Sequence, residues 1–406
     1  MTVSDRSRDV DTGGGLESVT PGRVASLTGI RAVAALLVVL THAAYTTGKY
    51  PQGYLGLVYS RAEIGVPIFF VLSGYLLFAP WVKASAASRE SGPAASRESG
   101  PAAGPPPPSV RRYAWHRVRR IMPAYAVTVV AAYLVYHFRT AGPNPGHTWE
   151  GLIRNLTLTQ IYTDDYLYSF LHQGLTQTWS LAVEVAFYAV LPALAYVLLV
   201  VLCRRRWRPG FLMAALTGLA AVTPAWLILV HTTDFLPDGA RLWLPSYLAW
   251  FVGGMMLAAL QPLGVRAYAL ACVPLAVVCY FIASTPIGGE PTTSPSELRD
   301  ALVKALFYAV IATLVVAPLA LRGAGSADGR QQGLYSRVLA SRPMVFLGEI
   351  SYEIFLIHLI TMELVMVEIL RYPIYTGSIT MLFLVTLVVT VPLAWLLHRF
   401  TRVRTG

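Results

Sequence analysis

The stretch Ser26-Leu-Thr-Gly-Ile-Arg31-Ala-Val-Ala-Ala-Leu-Leu-Val-Val-Leu-Thr-His42 decides the reading of this chain. It belongs to an apolar run long enough to cross a bilayer, for which roughly 20 residues suffice. A cation inside such a run costs on the order of 2.5 kcal/mol or more at the helix centre, so Arg31 calls for a partner or a task. Eleven residues at roughly 100° each return to nearly the same helix face, about 16 Å further along the axis. Arg31 and His42 therefore share one stripe at different depths. That layout suits a site that grips a long anionic ligand at one end and moves a proton at the other.

The rest of the chain agrees with a membrane setting. Of 406 residues, 55% are hydrophobic and 13% charged, against roughly 25% charged in soluble domains; the mean hydropathy is +0.55. Apolar segments recur near 27–45, 63–82, 121–138, 178–203, 211–231, 243–260, 267–284, 301–321, 343–369 and 379–398. These predict an all-α polytopic membrane protein of about ten transmembrane helices. With the N-terminus inside, the cytoplasmic stretches hold 23 Lys/Arg and the outside loops 7. That asymmetry predicts both termini in the cytoplasm and a multi-pass location in the cell (inner) membrane. The net charge of +11 is thus a topology signal, and no nucleic-acid partner is expected. Cys203, Cys272 and Cys279 fall in apolar runs and read as packing residues; no metal-ligand pattern is present.

The expected organisation has three parts. Residues 1–26 form a disordered cytoplasmic N-terminus, 27–398 the transmembrane domain, and 399–406 a cytoplasmic tail. Within the domain, 83–110 is a low-complexity cytoplasmic loop in which Ala86-Ala-Ser-Arg-Glu-Ser-Gly-Pro93 is repeated at 94–101.

Orientation converts position into depth at about 1.5 Å per residue. His42 comes out in the outer third of the membrane and Arg31 in the inner third. The fourth span, starting near Thr178, puts Glu184 roughly 9 Å below the outer boundary; a ninth span starting at Pro343 lifts His358 to the outer third. Ser73 and Glu353 fall near mid-membrane, and Arg119, Arg120 and Arg342 at the inner mouth. A carboxylate beside an imidazole fixes its tautomer, so Glu184 is the expected partner of His42. The plainer readings are that His358 is a structural hydrogen bonder, that Ser73 with Gly74 is a small packing pair, and that Glu349 or Glu353 neutralises Arg31.

Five ordered motifs now resemble the membrane-bound acyltransferase family 3. They are Arg31 and His42 as an Arg-x10-His pair, Pro67-Ile-Phe-Phe-Val-Leu-Ser-Gly-Tyr-Leu76, Arg119-Arg-Ile-Met-Pro123, Thr178-Trp-Ser-Leu-Ala-Val-Glu184-Val-Ala-Phe-Tyr188, and Leu347-Gly-Glu-Ile-Ser-Tyr-Glu353-Ile-Phe-Leu-Ile-His358. Many members have Asp where Thr28 stands, and Glu-Gln where Val185-Ala186 stand. The resemblance implies transfer of an acyl group, often acetyl, from acyl-CoA to a hydroxyl of a sugar, glycolipid, surface polysaccharide or glycosylated natural product. Acyl-CoA (acetyl-CoA) is then a donor substrate, with no cofactor bound permanently. His42 is expected as general base with Glu184 and Arg31 as further catalytic groups. Arg119, Arg120 and Arg31 would meet the donor phosphates, and Ser73, Tyr188, Glu353 and His358 would support the site or bind substrate. The rival reading is a transporter or flippase for a lipid-linked sugar, since intramembrane charges mark transport paths too. No convincing internal repeat supports it.

Overall fold

The computed structural model describes residues 21–50, 52–87, 107–139, 144–164, 171–321 and 333–402. The chain opens with α1 (Pro21–Thr46), α2 (Gly53–Ser60) and α3 (Gly65–Ala87), the last two joined by one 3-10 turn at Arg61–Ile64. Next come α4 (Val110–Phe138), the short α5 (Trp149–Leu156) and α6 (Trp179–Ala195). A 3-10 turn, Gln173–Thr178, leads into α6, and a π segment, Tyr196–Leu202, prolongs it. Then follow α7 (Pro209–Ala220), α8 (Val222–Thr232), α9 (Leu244–Leu260), α10 (Ala269–Ala283) and α11 (Leu298–Ala320). The last stretch holds α12 (Leu334–Leu339), α13 (Arg342–Glu349), α14 (Ser351–Leu364) and α15 (Ile379–Thr401). No strand occurs among the described residues. The protein is an all-α, polytopic membrane protein.

Among the described residues, eight helical stretches are long and apolar enough to cross a membrane, or nine if the bent pair α13–α14 is one span. Two of the ten segments read from the sequence differ from plain spans. The segment at 343–369 is bent by 71° between α13 and α14. Ile350 leaves the helical conformation there (φ −99°, ψ 9°), and no proline announces the break. The segment at 267–284 yields only the 15-residue α10. From residue 88 to 106, the repeat-bearing loop lies outside the described residues, as do residues 1–20 of the N-terminus and 403–406 of the tail.

Inside lipid, helices associate through close packing and small residues rather than through loss of contact with water. The crossing of α3 and α9 shows this directly. A Cβ on Gly74 would lie 2.0 Å from the Phe251 carbonyl oxygen, and one on Gly254 1.9 Å from that of Val71. Each glycine thus admits the backbone of the facing helix. The approach lets Phe70, Phe251 and Phe187 stack in series, with centroids 4.2 and 4.1 Å apart, tying α3, α9 and α6 together. The sequence reading of Gly74 as a packing residue agrees with this contact.

At the end of the bundle where α1 finishes, a buried charge cluster holds a loop in place. Lys304 of α11 pairs with Glu63 at 2.6 Å, and the Tyr308 hydroxyl donates to the same carboxylate at 2.7 Å. Arg61 is fully buried and donates to the carbonyls of Gly288, Gly289 and Glu290. The Tyr45 hydroxyl donates to that of Pro291, and Lys304 to those of Thr292 and Thr293. Six successive carbonyls of the α10–α11 loop are thereby bound by side chains from α1, the Arg61–Ile64 turn and α11. The cost of placing Lys304 in an apolar segment is met by Glu63 and by these carbonyls.

Removing one partner of a buried ion pair costs about 3–5 kcal/mol, because the other charge is left behind. Lys304→Met should therefore lower the melting temperature of the detergent-solubilised protein. Lys304→Met combined with Glu63→Leu should recover most of the loss. Equal melting of the single and double variants would show that the two charges are not coupled.

Candidate active site

Two groups of polar side chains gather along α1, one around each member of the Arg-x10-His pair. At His42 the partner comes from α14. His42 Nδ1 lies 3.2 Å from His358 Nε2 and 2.8 Å from the carbonyl of Val38, one turn back. His358 is fully buried, and its Nδ1 lies 2.8 Å from the Phe355 carbonyl and 3.2 Å from that of Ile354. The two imidazole planes are tilted by 58°, with centroids 4.9 Å apart. The bend at Ile350 re-aims α14 so that His358 reaches α1.

At Arg31 the partners come from α3, α4 and α6. The Ser73 hydroxyl of α3 donates to Glu184 Oε1. Tyr188, one turn after Glu184 on α6, donates to the same oxygen at 2.5 Å. The Tyr113 hydroxyl of α4 reaches the carbonyl of Tyr188 at 3.2 Å, and the Arg117 guanidinium lies 6.0 Å from the Tyr188 ring centroid. Tyr113, Arg117 and Arg120 recur at i, i+4 and i+7, one stripe of α4. Arg31, Arg117 and Arg120 lie within electrostatic reach of one another and of Glu184 and Tyr188.

None of these three arginines forms an ion pair within 4 Å among the described residues. Buried Nε of Arg117 has no hydrogen-bond partner there either. Three cations thus converge on a single carboxylate that already accepts two hydroxyls. Such a surplus of donors suits a multiply charged anion, to which charge-assisted hydrogen bonds are strong.

This geometry redistributes the residues singled out from the sequence. His42 and His358 meet. Glu184 hydrogen-bonds Ser73 and Tyr188 and makes no hydrogen bond to His42 among the described residues. Its depth was misjudged because helical structure begins at Gln173, not near Thr178, and begins as a 3-10 turn, which rises about 2.0 Å per residue. Glu184 therefore sits deeper, level with Ser73. Glu353 lies apart from Arg31; its Oε1 is 2.9 Å from His398 Nδ1 of α15, and Glu349 is exposed. Arg120, though exposed, lies within electrostatic reach of Arg31, whereas the half-buried Arg119 lies over Trp115, 5.8 Å from the ring centroid.

Two contributors escaped the sequence reading. Arg117 was one of a run of topology-setting arginines, and only its i, i+3 relation to Arg120 distinguishes it. Glu63 is the carboxylate whose field reaches His42. Lys304, a lone cation in an apolar segment, was the signal that some such partner existed.

The profile of a family described as an acyltransferase domain matches residues 24–399. Among named proteins, the chain is 25% identical over 354 residues to an acyltransferase of Streptomyces mycarofaciens, MdmB, covering 83% of this chain and 78% of that protein. It is 24% identical over 363 residues to the peptidoglycan O-acetyltransferase OatA of Listeria monocytogenes, covering 82% of this chain and 49% of that protein. The chain therefore spans about half the length of the second relative. No solved structure matches it.

If coenzyme A is the anion this cluster takes, Arg31→Ala and Arg117→Ala should each weaken its binding by about tenfold or more, the scale of one hydrogen bond to a charged group. Arg119→Ala should leave it nearly unchanged. Calorimetric titration of the purified variants measures both, and equal losses at Arg117 and Arg119 would contradict the convergence of the stripe on Arg31.

Proposed function

The chain belongs to acyltransferase family 3, and from that premise we propose that it moves an acyl group, acetyl in the first instance, from acyl-CoA to a hydroxyl of a carbohydrate or glycoside. The observation that carries this reading is the arginine cluster, without an ion pair among the described residues, that α4 completes around Arg31 on the face of α1 that also carries His42. The relatives' names supply the acceptor class: one modifies peptidoglycan, a carbohydrate polymer, by O-acetylation.

In this reading the arginine end faces the cytoplasm of a bacterial cell membrane. The basic segments Arg111–Arg120 and Arg204–Arg206 lie at that end by the positive-inside rule. The donor's phosphates dock on Arg31, Arg117 and Arg120. The pantetheine arm then runs along α1 toward His42, a distance of about 16 Å by helix rise. His42 takes the proton of the acceptor hydroxyl, and the oxygen attacks the thioester carbonyl. The carbon–sulfur bond breaks as the carbon–oxygen ester bond forms, and the imidazolium returns its proton to the departing thiolate. Ser73 and Tyr188, by donating to Glu184, hold that carboxylate beside the arginines.

The test is direct. Purified protein in lipid nanodiscs is incubated with radiolabelled acetyl-CoA and a panel of glycosides, and label transfer is measured. A positioned general base contributes roughly 10²–10⁴-fold, so His42→Ala should lose transfer by that order while still binding coenzyme A. Turnover above about a tenth of wild type would remove His42 from the chemistry.

A further inference from the structure

The usual orienter of a catalytic imidazole is a carboxylate. His42 has none within hydrogen-bond reach among the described residues; the group on its Nδ1 side is another histidine. We infer that His358 is the positioning residue of this site: held as a neutral hydrogen-bond acceptor by its own helix, it fixes His42 in the tautomer whose Nε2 is free to take the acceptor's proton. The inference rests on His42 being the base.

The argument is one of hydrogen counting. Backbone carbonyls only accept. His358 Nδ1 faces two of them, those of Phe355 at 2.8 Å and Ile354 at 3.2 Å, so Nδ1 carries the hydrogen. A neutral imidazole has one N–H, so His358 Nε2 presents a lone pair. That lone pair faces His42 Nδ1 at 3.2 Å. His42 Nδ1 must therefore donate, which its 2.8 Å approach to the Val38 carbonyl also demands. The one remaining lone pair of the two-ring system is on His42 Nε2.

The alternative is a doubly protonated His358. It would turn the lone pair of His42 Nδ1 onto the Val38 carbonyl oxygen, two acceptors face to face. It would also bury a cation with no carboxylate within 4 Å among the described residues.

The arrangement holds through the reaction. When His42 Nε2 takes the hydroxyl proton, Nδ1–H still donates to His358 Nε2 and to Val38. The positive charge is then shared with a lone pair and a helix carbonyl instead of a carboxylate. His358 keeps its own proton on Nδ1 throughout, and the transferred proton leaves with the coenzyme A thiol.

The tautomer can be read without turnover. In protein labelled with ¹⁵N-histidine, the resonances that vanish in His42→Gln belong to His42. Nδ1 should show the protonated, pyrrole-type shift and Nε2 the unprotonated, pyridine-type shift. The reverse assignment in wild type overturns the inference. His358→Leu should lose the tautomeric preference and lower kcat by about 10²-fold, the lower end of a general-base contribution, with both KM values little changed. His358→Gln, which keeps an acceptor in place of Nε2, should restore part of the kcat. Unchanged kcat in His358→Leu, or equal loss in His358→Gln and His358→Leu, would overturn the role. The nitrogen spectrum stands apart from the His42→Ala assay, so failure of the general-base reading is recognised separately.

Discussion

Charge inside an apolar bundle must be answered by something, and the ways it is answered organise this protein. Lys304 and Glu63 answer each other at 2.6 Å, with loop carbonyls and Tyr308 taking the remaining donors and acceptors. Glu353 is answered by His398. Arg31, Arg117 and Arg120 converge without an ion pair among the described residues and leave the bundle electrostatically incomplete at that point. A closed charge cluster stabilises a fold, whereas an open one stores affinity for a ligand that brings the missing sign. The same helix, α1, joins the two regimes.

Much of the fold was legible because membrane-spanning helices write themselves in length and composition. The placing of Arg31 and His42 on one face needed only the period of the helix. What the sequence concealed were relations between helices. The His42–His358 contact depends on a 71° bend at Ile350, where the only nearby sign in the sequence is Gly348 two residues earlier. The placing of Glu184 failed through an offset of a few residues. Helical structure begins at Gln173 rather than near Thr178, and that offset sets the carboxylate beside Ser73 instead of His42. Depth arithmetic is linear in the assumed boundary, while hydrogen bonding is all-or-none, so small boundary errors become wrong partners.

Arg117 and Glu63 illustrate a second limit. Basic residues near a span end serve topology and ligand binding at once, and composition does not separate the two. Packing separates them: Arg119 lies over Trp115, while Arg117 lies over Tyr188, the residue that donates to Glu184. The glycine pair at Gly74 and Gly254 matters here as well. By bringing α3 and α9 to backbone contact it fixes the lateral position of Ser73, and with it the oxygen of Glu184 that Ser73 and Tyr188 share.

The loop between α10 and α11 is gripped through six carbonyl oxygens, at residues 288–293. Carbonyl oxygens belong to the backbone, so the grip does not read side-chain identity. Of the amide hydrogens it uses that of Glu290, which donates to Asp300 Oδ2 at 2.9 Å, and Pro286, Pro291 and Pro295 stand at other positions. What it reads is spacing. Substitutions outside Gly288 and Gly289, where a Cβ would run into the Ala283 carbonyl and the Asp300 side chain, leave the accepting oxygens where they were, whereas inserting or removing one residue shifts the register of all of them against Arg61, Tyr45 and Lys304. The segment is fixed in its count, and in its letters only at its two glycines.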